Sequence, residues 1–249
     1  MSALRSRDNP RVKRWVKLVR DARLRRKEGR LLIEGPHLVQ AALQAGIQPH
    51  AFLVSEKGLA NPEIASLVSR PVILGDRLFA GIVDADNPPG IAAEISIPAG
   101  GAPDGDAVFL EGVQDPGNVG TIIRSAAAFG VKSVVLDAAC ADPWSAKALR
   151  AGMGGHFQLA IDTAFEERLK AFKGVLACTV VRGGKPLRDV PSPVGWIFGG
   201  EGQGVSDAVA GLAKLKVTIP MAPGSESLNV AAAAAICLYE TFSRRAAGS

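Results

Sequence analysis

Three times in this 249-residue chain an apolar run ends in a short loop of small and polar residues, and a helix-patterned stretch follows. Val108-Phe109-Leu110 leads to Asp115-Pro116-Gly117-Asn118-Val119-Gly120. Trp196-Ile197-Phe198 leads to Gly199-Gly200-Glu201-Gly202-Gln203-Gly204. Val217-Thr218-Ile219-Pro220-Met221 leads to Ser225-Glu226-Ser227-Leu228-Asn229-Val230 and an alanine run. Strands alternating with helices argue for an α/β fold. In a parallel sheet such loops gather at the carboxyl ends of the strands, where ligands bind. The pattern predicts one site, built from three loops, for a nucleoside-containing ligand.

Charge is the second constraint. The net charge of +5 hides an asymmetry: residues 1–30 hold twelve Lys/Arg against three Asp/Glu, and the remainder seventeen against twenty-one. A positive field at the amino end suits a phosphate-rich partner, because basic side chains displace counterions condensed on nucleic acid. The alternative is an ordinary solvated helix face. No apolar run reaches the roughly 18 residues of a membrane span, and Met1 to Arg7 lacks the apolar block of a signal peptide. Cys140, Cys178 and Cys237 are odd in number and far apart, which predicts neither a disulfide framework nor a metal site. A reducing cytoplasm is the expected location.

Along the chain, Asn9-Pro10 reads as the start of one basic helix that Gly29 ends, with its apolar side docked and its basic side outward. Strands are predicted at 30–34, 51–54, 72–74 and 91–97, and helices at 37–45, 62–68 and 76–82. The Gly- and Pro-rich stretch 98–106 reads as a boundary. The domains are therefore 1–98 and 107–249, with residues 99–106 as linker. In the second domain, helices are predicted at 121–129, 144–150, 166–172, 205–212 and 228–242. Strands are predicted at 108–110, 132–136, 157–161, 175–181, 196–198 and 217–221.

Residue chemistry narrows the function. Arg124, one turn into a helix, is either a structural ion-pair partner or a recogniser of phosphate or carboxylate. Glu201 is either a loop anchor or a partner for Arg124. The Gly199–Gly204 loop lacks the Gly-x-Gly-x-x-Gly spacing of a dinucleotide fingerprint, which argues against a nucleotide-dependent oxidoreductase. There is no Gly-x-Ser-x-Gly elbow. His37, His50 and His156 have no evident catalytic partners and read as structural or surface residues.

Taken together, the three loops resemble the SpoU/TrmH branch of the SPOUT RNA 2′-O-ribose methyltransferases. The carrying residues are Asp115 to Ser125 with Ala-Phe-Gly130, then Phe198 to Gly204, then Ile219-Pro-Met with Ser227 to Ala231. Residues from Glu28 onward resemble, more weakly, the family's L30e-like RNA-binding domain. The resemblance implies an α/β carboxyl-terminal domain whose end is threaded into a deep trefoil knot. It also implies a homodimer paired through knot helices, with the site at the interface. S-adenosyl-L-methionine would bind near Gly199, Gly200, Gly202, Ile219, Met221 and Leu228, with no metal. Asn118, Arg124, Glu201, Ser227 and Asn229 would form the catalytic set, with Arg124 deprotonating the 2′-hydroxyl and Glu201 orienting Arg124. On physical grounds Arg124 binds the adjacent phosphate and stabilises the forming alkoxide. The substrate would be structured RNA, ribosomal ahead of transfer RNA. Gly152 and Gly155 depart from the family pattern and are candidates for tuning the substrate pocket. The competing expectation from another class is a non-catalytic RNA-binding or ribosome-assembly factor.

Overall fold

The computed structural model describes residues 3–247. Met1 and Ser2 of the stretch read for a leader, and Gly248 and Ser249 of the second predicted domain, lie outside the described residues. Two basic helices come first, α1 (Pro10–Arg20) and α2 (Ala22–Glu28), not the single helix expected. Asp21 causes the break. Its backbone is extended, and its carboxylate accepts from the Arg23 and Leu24 amides at 2.8 and 3.2 Å, so it caps a new helix. Nor does the whole basic face point outward. Arg14 turns in to Glu28 and Glu94, and Arg25 is buried. The indole of Trp15 donates to the same Glu94 at 2.8 Å.

There follow β1 (Arg30–Glu34), α3 (Pro36–Gln44), β2 (Ala51–Ser55), α4 (Glu56–Leu59), α5 (Pro62–Leu67), β3 (Val72–Leu74), α6 (Asp76–Ile82) and β4 (Ile91–Ser96). The short α4, capped by Ser55, was not expected from the sequence. The four strands form one sheet in the order β1-β4-β2-β3, with only the β2–β3 pair parallel. Side chains alternate across it as strand geometry demands. Leu32, Leu53 and Ala92 meet Trp15, Leu18 and Phe79, while Leu31, Ile33, Val54 and Ala93 face the other way.

The second unit comprises β5 (Ala107–Glu111), α7 (Pro116–Ala128), β6 (Ser133–Leu136), α8 (Ala146–Gly152), β7 (Ala160–Asp162), α9 (Phe165–Ala171), β8 (Val175–Thr179), β9 (Val194–Gly199), α10 (Asp207–Ala210), β10 (Leu215–Val217) and α11 (Val230–Ala247). Its sheet is all parallel, in the order β10-β8-β9-β5-β6-β7. Helix starts shift to their capping residues: Asp115 for α7, Ser145 for α8 and Ser206 for α10. The strand expected at 157–161 divides into a 3₁₀ turn, Gly155–Phe157, and β7. The strand expected at 217–221 stops at Val217. There Thr218 Oγ1 accepts from the Gly184 amide and donates to Val180 O, which draws the chain out of the ladder. Asp106, read as the end of a linker, is buried, and its Oδ1 accepts from the Val194 amide at 2.8 Å.

Candidate active site

Chain order in the sheet reverses between β5 and β9, the position where open parallel sheets bind ligands. The loops after these two strands are tied together, since the Gly200 amide donates to Glu111 O at 2.8 Å. The Gly199–Gly204 turn folds back on itself through a Gly204 N–H to Gly200 O bond of 2.9 Å. Gly199 has to be glycine there, because a Cβ would lie 2.0 Å from the Gly204 carbonyl carbon.

Under this turn lies a cleft of about 290 Å³. All six residues expected to hold the cofactor line it: Gly199, Gly200, Gly202, Ile219, Met221 and Leu228. Glu201 and Ser227, from the expected catalytic set, line it too. Thr179, Val180 and Val181 complete one wall. Sequence reasoning missed them, since β8 ends without glycine and its residue types are those of any core strand. The mix of backbone amides and apolar side chains suits an adenine nucleoside. A second cleft, about 500 Å³, shares Gly200, Glu201 and Gly204 with the first and is lined by Asn118, Asp115 and Asp137.

Three expected residues meet directly. Asn118 Nδ2 donates to Glu201 Oε1 at 2.9 Å. Asn229 Nδ2 donates to the same oxygen at 3.0 Å and to Asn118 Oδ1 at 3.1 Å. Asn229 Oδ1 caps α11 by accepting from the Ala231 and Ala232 amides. That is why α11 begins at Val230, not at Leu228. The network orients both amides, because each oxygen and nitrogen has one consistent role. Glu201 Oε2 takes no hydrogen bond from the described residues. Asp115, which caps α7, also binds Lys147 at 2.6 Å. The Lys147 ammonium, then the Asn118 amide, hold its carboxyl below the usual range.

Arg124 does not follow its expected pairing. It is exposed on α7 and forms no hydrogen bond or ion pair among the described residues, and Glu201 spends its Oε1 on the two asparagines. Glu201 is thus a loop anchor, and the structural ion pair considered for Arg124 is not formed. Gly152 and Gly155 line neither cleft. The His156 ring occupies the place of a Gly152 side chain, with Cε1 2.2 Å from where a Cβ would stand. His156 is fully buried and bonds Pro143 O at 2.9 Å, and burial pushes its pKa down to about 4. His37 and His50 sit at the surface on Met153 O and Ser96 Oγ. Among the described residues no group of side chains could hold a metal ion, and no helix is long and apolar enough to cross a membrane.

Comparison with known proteins places this geometry. A family model for the SpoU rRNA methylase family matches residues 106–239, and one for an MRM3-like substrate binding domain matches residues 9–93. The chain is similar to the 23S rRNA (guanosine(2553)-2′-O)-methyltransferase RlmP of Bacillus subtilis. Identity is 33% over 246 residues, covering 96% of this chain and 98% of the relative. The SpoU methyltransferase AviRb of Streptomyces viridochromogenes, solved in complex with AdoMet, superposes with a TM-score of 0.84 at 26% identity. That match covers 97% of this chain and 100% of the other. An RNA 2′-O ribose methyltransferase structure has a TM-score of 0.81 at 30% identity, covering 98% and 100% of the two chains.

Proposed function

The chain belongs to the SpoU rRNA methylase family, and on that premise we propose that it transfers a methyl group from S-adenosyl-L-methionine to a ribose 2′-oxygen of ribosomal RNA. The observation that carries this is the meeting of three distant loops. Asn118, Glu201 and Asn229 are joined by hydrogen bonds at the mouth of the cleft lined by Gly199, Ile219 and Leu228. A decayed scaffold would have no reason to keep that network beside a nucleoside-sized cleft.

In the transfer, the 2′-oxygen forms a bond to the methyl carbon, the sulfur–carbon bond breaks, and the hydroxyl proton leaves. When bound, S-adenosyl-L-methionine supplies an activated methyl on a cationic sulfur. The amides of the Gly199–Gly204 turn and the apolar walls of Val180, Ile219 and Leu228 would hold it. Asn118 and Asn229 fix Glu201, whose Oε2, without a hydrogen-bond partner among the described residues, accepts the proton that leaves the 2′-hydroxyl. Arg124, exposed and without a partner among the described residues, binds the phosphate beside the target ribose and stabilises the developing alkoxide. Fixing the two reactants in line supplies much of the rate.

The amino-terminal residues 1–98 serve as the RNA-binding domain, and residues 107–249 carry the chemistry. A homodimer is supported by α11, whose Ile236, Tyr239 and Phe242 stay 39%, 56% and 42% exposed, the two rings packed beside Phe129. The threaded carboxyl end is supported by Asn229, which reaches both other loops at the point where α11 begins. The protein works in the cytoplasm. Radiolabelled S-adenosyl-L-methionine should bind the protein and label 23S rRNA. Mapping 2′-O-methyl sites with and without the gene should show one lost nucleotide, and the guanosine named for the Bacillus relative is the first to inspect. Cofactor binding without any transfer to RNA would favour the non-catalytic reading.

A further inference from the structure

The stretch from Asp142 to Phe157, which contains α8, lies on α7 and touches the amino-terminal half at separate points. Toward the amino-terminal half it is fastened at three separate places. At its start, Asp142 is ion-paired with the buried Arg25 of α2, whose Nη1 also donates to Leu18 O and Val19 O at 2.7 and 2.8 Å. In its middle, Arg150 forks to two carboxylates, Nη1 to Glu34 at 2.7 Å and Nη2 to Asp84 at 2.8 Å. Near its end, Met153 O accepts from His37 Nε2 at 3.3 Å. Toward the other half, α8 lies directly on α7, the helix of Asn118 and Arg124. At Gly120 the two backbones come so close that a Cβ would sit 2.2 Å from Ala148 O. At Gly155 the turn abuts the Arg124 Cα, 3.2 Å from where a Cβ would stand.

We propose that residues 142–157 act as a splint, holding the basic amino-terminal helices at one angle to α7, and that Arg150 is its principal positioning residue. RNA gripped by α1 and α2 is thereby presented to Arg124 and the asparagine–glutamate network in a single register. Arg150 suits this role because a guanidinium fork satisfies two carboxylates in one fixed geometry, which a lysine cannot do. Glu34, with a side chain only 8% exposed, leaves little freedom on the receiving side. The apolar contacts agree, since one hydrophobic cluster runs from Ile33 and Leu38 to Val119 and Ile123. The inference rests on the RNA-methylating reading for its purpose, but its mechanical part stands apart from it.

The test uses the full chain with Arg150→Met and Glu34→Gln together, so that no buried carboxylate is left unpaired. Methyl transfer is measured on full-length 23S rRNA and on a short stem-loop cut around the mapped nucleotide. The splint requires KM for the long RNA to rise roughly tenfold or more, as an anchoring contact loses its register. Turnover of the stem-loop and affinity for S-adenosyl-L-methionine stay unchanged. Arg150→Lys should lie between wild type and the double variant, and it serves as the test should the double variant fail to fold. Equal effects on long and short RNA, or none, would overturn the proposal. Small-angle scattering of the same proteins separates its failure from that of the functional reading. The splint requires a broader distance distribution in the variant whether or not RNA is the substrate. An unchanged profile overturns the splint, whereas a wild-type protein inactive on RNA overturns the functional reading alone.

Discussion

Arg124 and His156 sit in opposite settings, the first exposed on α7 and the second fully buried. Arg124 stands exposed, so replacing it should leave the fold untouched. Arg124→Ala is expected to lower kcat for methyl transfer by about 10²–10³-fold, the usual effect of removing one preorganised charge-stabilising group. The melting temperature and cofactor affinity should not move, and normal turnover would remove Arg124 from the mechanism. His156 acts on stability instead. Its folded pKa of about 4 lies below the ordinary histidine value of 6.5, so below 6.5 the unfolded chain binds a proton that the native chain refuses. The contribution of His156 to stability is full above pH 6.5, falls as pH drops toward 4 and then levels off. The integrated loss is about 3 kcal/mol. Denaturant midpoints measured between pH 7 and 4 should show it, and His156→Gln should flatten the slope by one proton. Residue types marked the three loops, and the family resemblance supplied the candidate residues, of which Asn118, Glu201 and Asn229 meet in the structure. They did not carry the pairing. Nothing in the sequence separates a Glu201 bound to Arg124 from one bound to two asparagines, since that depends on where α11 starts.

The elements show the same division between pattern and cap. Strand alternation at Leu31-Leu32-Ile33 and Phe52-Leu53-Val54 was legible, because each residue goes to one of two apolar layers. Helix starts were not, because the capping side chain sets them: Asp115, Ser145, Ser206 and Asn229 each move a boundary by two to five residues. The break at Asp21 is the instructive case. An acidic residue in a basic amphipathic run reads as a minor blemish, yet its carboxylate restarts the helix. The consequence is that α2 turns Arg25 inward and leaves Arg23, Arg26 and Lys27 exposed. Neutralising these three to Gln should weaken RNA binding. It should also make the plot of log affinity against log salt shallower by about one unit per charge. Cofactor binding, measured by calorimetric titration, should be unaffected. An unaltered salt dependence would place the RNA elsewhere.

At the scale of the molecule, the two-part organisation was visible in the sequence, from the change of pattern at 98–106, but the union of the parts was not. Ion pairs such as Arg150 with Glu34 and Arg25 with Asp142 join residues 116 and 117 positions apart, and no local pattern announces them. The shared apolar cluster is equally silent, because Leu38 and Val119 look like any core residues of separate domains. This cluster has a practical corollary for anyone heating the protein. Two halves that share one apolar cluster and are pinned by Arg150 and Arg25 should melt as one unit. Scanning calorimetry should record a single endotherm with equal van't Hoff and calorimetric enthalpies. The carboxyl-terminal piece expressed alone should clump, as its apolar cluster loses the share contributed by Leu38, Val39 and Ala42.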